Sequence, residues 1–181
     1  MSRGHITQAG RDTSSEPSWN MAAKGVALLP EGRMIFRDMT IEENLMMGAF
    51  AKPCRHAVRT HLERDYELFP LLRERSPHQA GTLSGGQAQM LAMGRGFISD
   101  PKVLLIDEPS LGLSPVMVRE VFDILKRLKS EGRTILLVEQ NTHIALDVAD
   151  HVYLMQGGEV TLSKPAAEVN LTQFHDLYFS R

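Results

Sequence analysis

The chain has 181 residues, of which 43% are hydrophobic and 23% charged, and its formal net charge is −2. This composition is typical of a globular protein with its own core, and the charge gives no reason to expect a nucleic-acid partner. The single cysteine, Cys54, excludes an internal disulfide and fits a reducing compartment. No apolar run reaches the roughly 18 residues of a bilayer span. The sequence therefore predicts a soluble cytoplasmic protein that reaches a membrane only through a partner.

The first third of the chain predicts one strand and one helix. Residues 1–20 are polar, and the apolar run at 25–29, which Pro30 stops, predicts a buried strand. Thr40 and Glu43 have the spacing of a capping box, in which each side chain bonds the backbone of the other residue. A helix is therefore expected from there to about residue 50.

The segment between residues 50 and 100 is predicted to be mainly helical. A charged amphipathic pattern predicts a helix over 55–69 that Pro70 ends, and residues 71–82 are expected to form a loop. Another helix is expected over about 87–98, because Ser, Asp and Pro follow it directly.

From residue 100 onward, predicted strands alternate with predicted helices. Continuous apolar runs at 103–106 and 134–138 are of the kind found in parallel strands that are buried on both faces. Ser114 before Pro115 predicts a cap and the first turn of a helix that reaches about residue 130. Two elements follow, a helix that Asn141 caps and that runs to about residue 149, and a hairpin over 151–162.

These elements predict an α/β fold with a parallel sheet and an inserted helical subdomain. Four parts are expected along the chain: a residual N-terminal part of the core over 1–39, the helical subdomain over 40–98, the remaining core over 99–163 and a helical tail over 164–181.

The stretch Thr82–Met90 reads TLSGGQAQM and places two glycines at the start of a helix. A helix N-terminus has unpaired N–H groups and the positive end of the helix dipole, and glycines let an anion approach the backbone. The pattern therefore predicts a helix that binds a phosphate.

The run VLLIDEP at 103–109 ends an apolar strand with two adjacent carboxylates, Asp107 and Glu108. Ligands bind at the carboxyl edge of parallel sheets, and side chains alternate along a strand, so the two carboxylates can take different roles. One can hold Mg²⁺ while the other polarises an attacking water. By itself, such a pair also fits an ordinary polar turn.

The combination of LSGGQ, the helix after it and VLLIDEP resembles the nucleotide-binding subunits of ABC transporters. Further segments resemble the branched-chain amino-acid uptake subfamily, namely LPEGRMIF at 29–36, TIEENL at 40–45, PSLGL at 109–113 and LVEQN at 137–141. The resemblance implies a P-loop NTPase (RecA-like) core with the helical subdomain of the ABC type, and it implies ATP and Mg²⁺ as cofactors.

The resemblance also implies a role for the LSGGQ residues, which we call the signature. In the family they contact the γ-phosphate of an ATP that is held mainly by the other subunit of a head-to-tail dimer. The residues at these positions here are Ser84, Gly85, Gly86 and Gln87.

Other roles follow from the same resemblance. Asp107 would orient Mg²⁺, and Glu108 would be the general base that polarises the hydrolytic water. Glu31 stands where most of the family have a glutamine that contacts Mg²⁺ and water, and Gln140 stands where most have a histidine that contacts the γ-phosphate. Gln140 can hydrogen-bond a phosphate but cannot carry charge. Ser114 replaces the family's usual aspartate.

The partners that the resemblance implies are a second ABC ATP-binding subunit, identical or different, and integral membrane permease subunits. The permeases would hold the chain at the inner face of the cell membrane. The apolar surface of residues 40–80 could dock a short cytoplasmic helix of a permease, or its methionines Met46 and Met47 could fill gaps in the core.

The 181 residues contain no P-loop, G-x-x-x-x-G-K-[ST], and none of the six lysines stands in a Gly-Lys-Ser/Thr triplet. We therefore expect an incomplete core, marginally stable alone, that binds ATP weakly or not at all. Three hypotheses stay open from the sequence. They are an ATPase subunit of an amino-acid importer, a non-hydrolysing remnant or interaction protein that contributes at most its signature helix, and a non-transport ABC protein.

Overall fold

The computed structural model describes residues 4–50 and 57–170. A parallel three-stranded sheet with the order β3-β4-β5 lies at the centre, and two antiparallel hairpins, β1-β2 and β6-β7, flank it in the chain. The strands are β1 Thr7–Gln8, β2 Arg11–Asp12, β3 Val26–Leu29, β4 Val103–Asp107, β5 Thr134–Val138, β6 His151–Gln156 and β7 Glu159–Pro165.

Six α-helices surround or connect these strands within the described residues. They are α1 Ile41–Gly48, α2 Val58–Leu68, α3 Pro70–Glu74, α4 Gly85–Phe97, α5 Pro115–Ser130 and α6 Thr142–Leu146. Four helices therefore lie between β3 and β4, and one helix joins β4 to β5. The predicted α/β fold class and the predicted parallel strands are confirmed, while the four-part division of the chain stays a prediction.

Within residues 4–50 and 57–170, the central sheet is apolar on both faces but packed on only one. Leu29, Leu104 and Ile106 are buried in the core beneath the helices. On the other face, Leu136 and Val138 are 55% and 53% exposed. The prediction that β5 is buried on both faces is therefore wrong for the described residues. An apolar run shows that a strand can be covered on both sides, but it does not say what covers it.

Local sequence signals explain how the helices between β3 and β4 begin. Thr40 and Glu43 form the predicted capping box of α1, with Glu43 accepting from the Thr40 N–H at 2.7 Å. Residues 71–82 are not a plain loop, because Pro70 occupies the first turn of α3. The fixed φ of proline suits that position, so Pro70 ends α2 and begins the next helix. Residues 55–56 of the helix predicted over 55–69 lie outside the described residues.

Helices α1 and α4 cross with their backbones in close contact. A Cβ atom placed on Gly48 would stand 1.8 Å from the carbonyl oxygen of Arg95, and one placed on Gly94 would meet Leu45 at 2.8 Å. These glycines are needed for space rather than for an unusual backbone angle. The close crossing joins the two helices into one core.

The second half of the chain follows the predicted order with one shortened helix. Ser114 and Asn141 cap α5 and α6 by accepting from the backbone of Met117 and Ile144, both at 3.4 Å. Helix α6 ends at Leu146 rather than near residue 149. Residues 171–181 of the predicted helical tail lie outside the described residues.

A buried carboxylate lies where α2 meets the start of β4. Asp65 is 2% exposed, and within the described residues its Oδ2 has no hydrogen-bond partner. Burial raises the pKa of Asp65 to about 8, with Arg64 partly opposing the shift and Asp100 adding to it. A cavity of about 20 Å³ beside it has room for one water molecule.

Candidate nucleotide site

The carboxyl ends of β4 and β5 lie level with each other and present the predicted acidic pair. Asp107 pairs with Val138 in the register of the two strands, and the Glu108 N–H donates to the Val138 carbonyl at 2.9 Å. Asp107 is the last residue of β4, and Glu108 begins the turn beyond it. The backbone pairing therefore fixes both carboxylates at one edge of the sheet.

Glu108 is held in an unusual conformation next to Gln140. Its φ is +46°, a left-handed value that costs a non-glycine residue free energy and is often found at functional sites. The backbone and side-chain amides of Gln140 lie near the Glu108 carboxylate and favour its charged form. Burial raises the pKa of Glu108, the charges of Glu139 and Asp107 raise it further, and the Gln140 amides partly offset the shift. Two predicted site residues that are 32 positions apart in the sequence are thus neighbours at this edge of the sheet.

Glu139 is a third acidic residue at this edge, and the sequence analysis did not single it out. Its Oε1 accepts from the Ser110 hydroxyl at 2.7 Å and from the Asn141 N–H at 3.2 Å. Its Oε2 accepts from the Ser110 N–H at 3.4 Å. A lone acidic residue after a strand gives no signal of a partner so far away in sequence, so only the fold identifies it.

The Asp107 carboxylate suits a magnesium ion that is held mainly by other ligands. It is half-buried at the sheet edge and forms no hydrogen bond or ion pair with the described residues. In that same part of the chain, no group of three or more His, Cys, Asp or Glu side chains could hold a metal ion. Magnesium at phosphate sites typically uses one or two carboxylates and completes its shell with phosphate oxygens and water.

The signature forms the capped N-terminus of α4. Ser84 accepts from the Gln87 N–H at 3.4 Å, and the Gln87 side chain accepts from the Ser84 N–H at 3.0 Å, which completes a capping box. The Gln87 side chain also accepts from Arg75 at 3.1 Å. The helix begins at Gly85, two residues before the predicted start. Of the first-turn donors, the N–H groups of Gly85 and Gly86 are the ones that this box does not use.

The signature glycines also make room for neighbouring side chains. A Cβ atom on Gly85 would meet the Arg33 guanidinium at 3.1 Å, and one on Gly86 would meet the Met117 methyl at 2.8 Å. Arg33 donates to Gln89 at 3.3 Å, and Arg95 donates to the carbonyl oxygens of Arg33 and of the residue after it at 3.3 and 2.7 Å. The loop after β3 therefore packs against the first turn of α4.

Glu31 lies in an exposed turn directly after β3. Because Leu29 pairs with Ile106 in the parallel sheet, this turn leaves the same edge that carries Asp107. The structure thus brings Asp107, Glu108 and Gln140 together and places Glu31 at their edge of the sheet. Among the described residues, no hydrogen bond or ion pair links this group to the signature.

The fold and this arrangement define the class of protein. The solved structure of an ATP-binding cassette of an ABC transporter in its ADP conformation superposes with a TM-score of 0.74 at 24% identity. The match covers 90% of this chain and 69% of that one. At this identity the likeness shows the fold, which is the P-loop NTPase fold of ABC ATP-binding cassettes.

The family follows from the sequence comparisons. The model of the ABC transporter family matches residues 1–111, so the chain belongs to this family. The "High-affinity branched-chain amino acid transport ATP-binding protein BraG" of Pseudomonas aeruginosa is 43% identical over 164 residues, which are 91% of this chain and 70% of that protein. The "Probable branched-chain amino acid transport ATP-binding protein LivF" of Archaeoglobus fulgidus is 36% identical, with 92% and 70% covered.

No helix among the described residues is long and apolar enough to cross a membrane.

Proposed function

We propose that this chain is an ATP-binding subunit of an ABC importer that couples ATP hydrolysis to uptake of branched-chain amino acids. The observation that carries the ATPase part is the position of Asp107 and Glu108 at the carboxyl edge of the sheet, where the Glu108 N–H donates to the Val138 carbonyl and Gln140 follows two residues later. The 43% identity to BraG and the 36% identity to LivF support the branched-chain substrate, because the names of both proteins state it.

In this proposal Glu108 is the general base. Its carboxylate lies at the edge where a nucleotide would bind, and its raised pKa brings it nearer to neutral pH, where a base is most effective. The two Gln140 amides would orient it, and the φ of +46° sets the direction in which its side chain leaves the backbone. Asp107 would hold Mg²⁺, which would neutralise phosphate charge when bound. Glu31 would contribute to the same metal and its waters.

The signature would bind the γ-phosphate of an ATP held by a second ATP-binding subunit. The capping box satisfies the N–H groups of Ser84 and Gln87, so the N–H groups of Gly85 and Gly86 are free to meet a phosphate. The proposal also requires a P-loop, which the 181 residues do not contain. The role of the signature therefore applies to these residues in a dimer, and the roles of Asp107 and Glu108 apply where a P-loop lies beside them.

A groove beside α1 would dock the permease. Met39, Met46, Met47 and Pro77 line it, and its volume is about 530 Å³. Methionine side chains adapt to an apolar helix, and Glu42 at the rim favours a basic residue on that helix. Such docking would place the chain in the cytoplasm, peripherally at the inner face of the cell membrane.

Hydrolysis by the dimer of this chain with a second ATP-binding subunit tests the proposal. Replacement of Glu108 with Gln should lower kcat by about 10²–10⁴ and leave nucleotide affinity within about twofold, because only proton transfer is lost. The matched control is Glu120→Gln on the exposed face of α5. If Glu108→Gln leaves hydrolysis unchanged, the chain contributes only its signature helix to the other subunit's site.

The substrate is tested by uptake into vesicles that contain the complex with its permease. Labelled leucine should be taken up, and labelled lysine, as the comparison, should not.

A further inference from the structure

We propose that Glu139 is a positioning residue, which ties the loop after β4 to the loop after β5 and thereby sets the place of Gln140 against Glu108. Its contacts stand on the structure alone, and its effect on hydrolysis rests on the proposed function. The proposed reaction assigns Glu139 no role, although its carboxylate bonds residues of both loops.

The contacts of Glu139 use both carboxylate oxygens. One oxygen accepts from the Ser110 hydroxyl at 2.7 Å and from the Asn141 N–H at 3.2 Å, and the other accepts from the Ser110 N–H at 3.4 Å. We call this set of three hydrogen bonds the Ser110–Glu139–Asn141 clamp. It joins two loops that are 29 residues apart in sequence.

The clamp closes a small ring around Glu108. Gln140 lies beside Glu108 and follows Glu139 in the chain, Glu139 binds Ser110, and Pro109 connects Ser110 back to Glu108. The proline is buried and its φ is fixed by its ring. Because the Asn141 N–H is also held, the backbone is anchored on both sides of Gln140. Gln140 is therefore left with little freedom to move its amides away from Glu108.

The geometry requires a carboxylate more than it requires a polar side chain of this length. An ionised carboxylate only accepts hydrogen bonds, and it offers about four acceptor positions. A glutamine at 139 could replace the oxygen that meets the Ser110 hydroxyl and Asn141, but its NH₂ group would then face the Ser110 N–H. Glutamine should therefore keep the Asn141 side of the clamp and lose the Ser110 N–H bond, whereas alanine should lose both.

Amide hydrogen exchange of the full chain, measured residue by residue, tests the contacts without any nucleotide. Glu139→Ala should reduce the protection of the Ser110 and Asn141 amides by about tenfold, as expected when a hydrogen bond to a charged group is lost. Glu139→Gln should reduce it at Ser110 while leaving Asn141 within about threefold. The control is Asp147→Asn, which removes an exposed carboxylate directly after α6. Unchanged protection in Glu139→Ala would overturn the clamp.

Hydrolysis by the assembled dimer tests the positioning role. Glu139→Ala should lower kcat about tenfold with KM unchanged within about twofold, because the nucleotide still binds while Gln140 and Glu108 lose their alignment. Adding Ser110→Ala to Glu139→Ala should cost nothing further, since both remove the same clamp. An unchanged kcat in Glu139→Ala contradicts the positioning role even if the wild-type dimer is active. If the wild-type dimer hydrolyses no ATP, the proposed function fails, and the exchange result alone decides the clamp.

Discussion

Gly48 lies directly against the backbone of Arg95, with room for no side-chain atom between them. The contact joins the helix that lines the methionine groove to the helix that begins with the signature. Because backbone atoms cannot swing aside as side chains do, α1 and α4 are held as one unit. A displacement at the groove would thus reach the signature without an intervening flexible part.

Gly48→Ala should destabilise the chain by about 3 kcal/mol, because its Cβ would stand 1.8 Å from the Arg95 carbonyl oxygen and the helices must separate. Gly86→Ala is the matched control. The nearest atoms to its Cβ all belong to the flexible Met117 side chain, and the gain in helix propensity offsets part of that crowding. Urea unfolding monitored by circular dichroism measures both. Equal losses for the two variants would show that α1 and α4 separate easily.

Stability should fall as the pH rises from about 4 to about 8 because of Asp65. Its pKa is about 8 in the folded chain and about 3.8 as a free side chain, so between these values the folded state binds a proton that the unfolded state has lost. The contribution of Asp65 to stability is thus complete below pH 4 and is lost as the pH approaches 8. Burial of the charged form is the cause.

Asp65→Asn should remove this dependence and stabilise the chain at pH 8 by roughly 2–5 kcal/mol, since the amide imitates the neutral acid. The control is Asp123→Asn, an exposed residue on α5. Urea midpoints at pH 5 and pH 8 provide the comparison. A wild-type midpoint that is higher at pH 8 than at pH 5, and that Asp65→Asn does not change, would contradict the assignment.

Local signals in the sequence predicted the elements, but not everything that packs against them. The Thr40–Glu43 box and the Ser114–Pro115 start are each encoded within four residues, so both are found where expected. The Glu139–Ser110 contact depends on how β4 and β5 align, and no short pattern encodes that alignment. The exposure of Leu136 depends on what covers the sheet, which an apolar run cannot reveal.

Gln140→Ala should move the acid limb of the hydrolysis profile to higher pH. The Gln140 amides favour the ionised form of Glu108, so loss of the side-chain amide raises a pKa that burial has already raised. A base with a higher pKa becomes active only at a higher pH. The kcat of the assembled dimer between pH 5 and pH 9 measures the shift. A limb that moves to lower pH would show that Gln140 does not stabilise the Glu108 carboxylate.

Met47→Glu should abolish uptake while changing the free energy of unfolding by less than about 0.5 kcal/mol. Met47 is 41% exposed in the groove, so a charge there stays hydrated in the free chain but would be buried beneath a docked helix. The control is Val160→Glu, which is 55% exposed on the β6-β7 hairpin. Transport by the reconstituted complex is the measurement. Normal uptake by Met47→Glu would place the permease elsewhere.

The capping box at the signature has a consequence for how the proposed phosphate contact responds to conditions. Ser84 and Gln87 are engaged with each other, so the donors that remain are two backbone amides that neither titrate nor rotate. Their attraction for a phosphate comes from the helix dipole and is strengthened by the Arg33 guanidinium against Gly85, and salt screens both. Ionic strength would therefore govern closure of the dimer at the signature, while pH would govern the chemistry at Glu108. Measured separately, the two dependences would report on the two halves of the site.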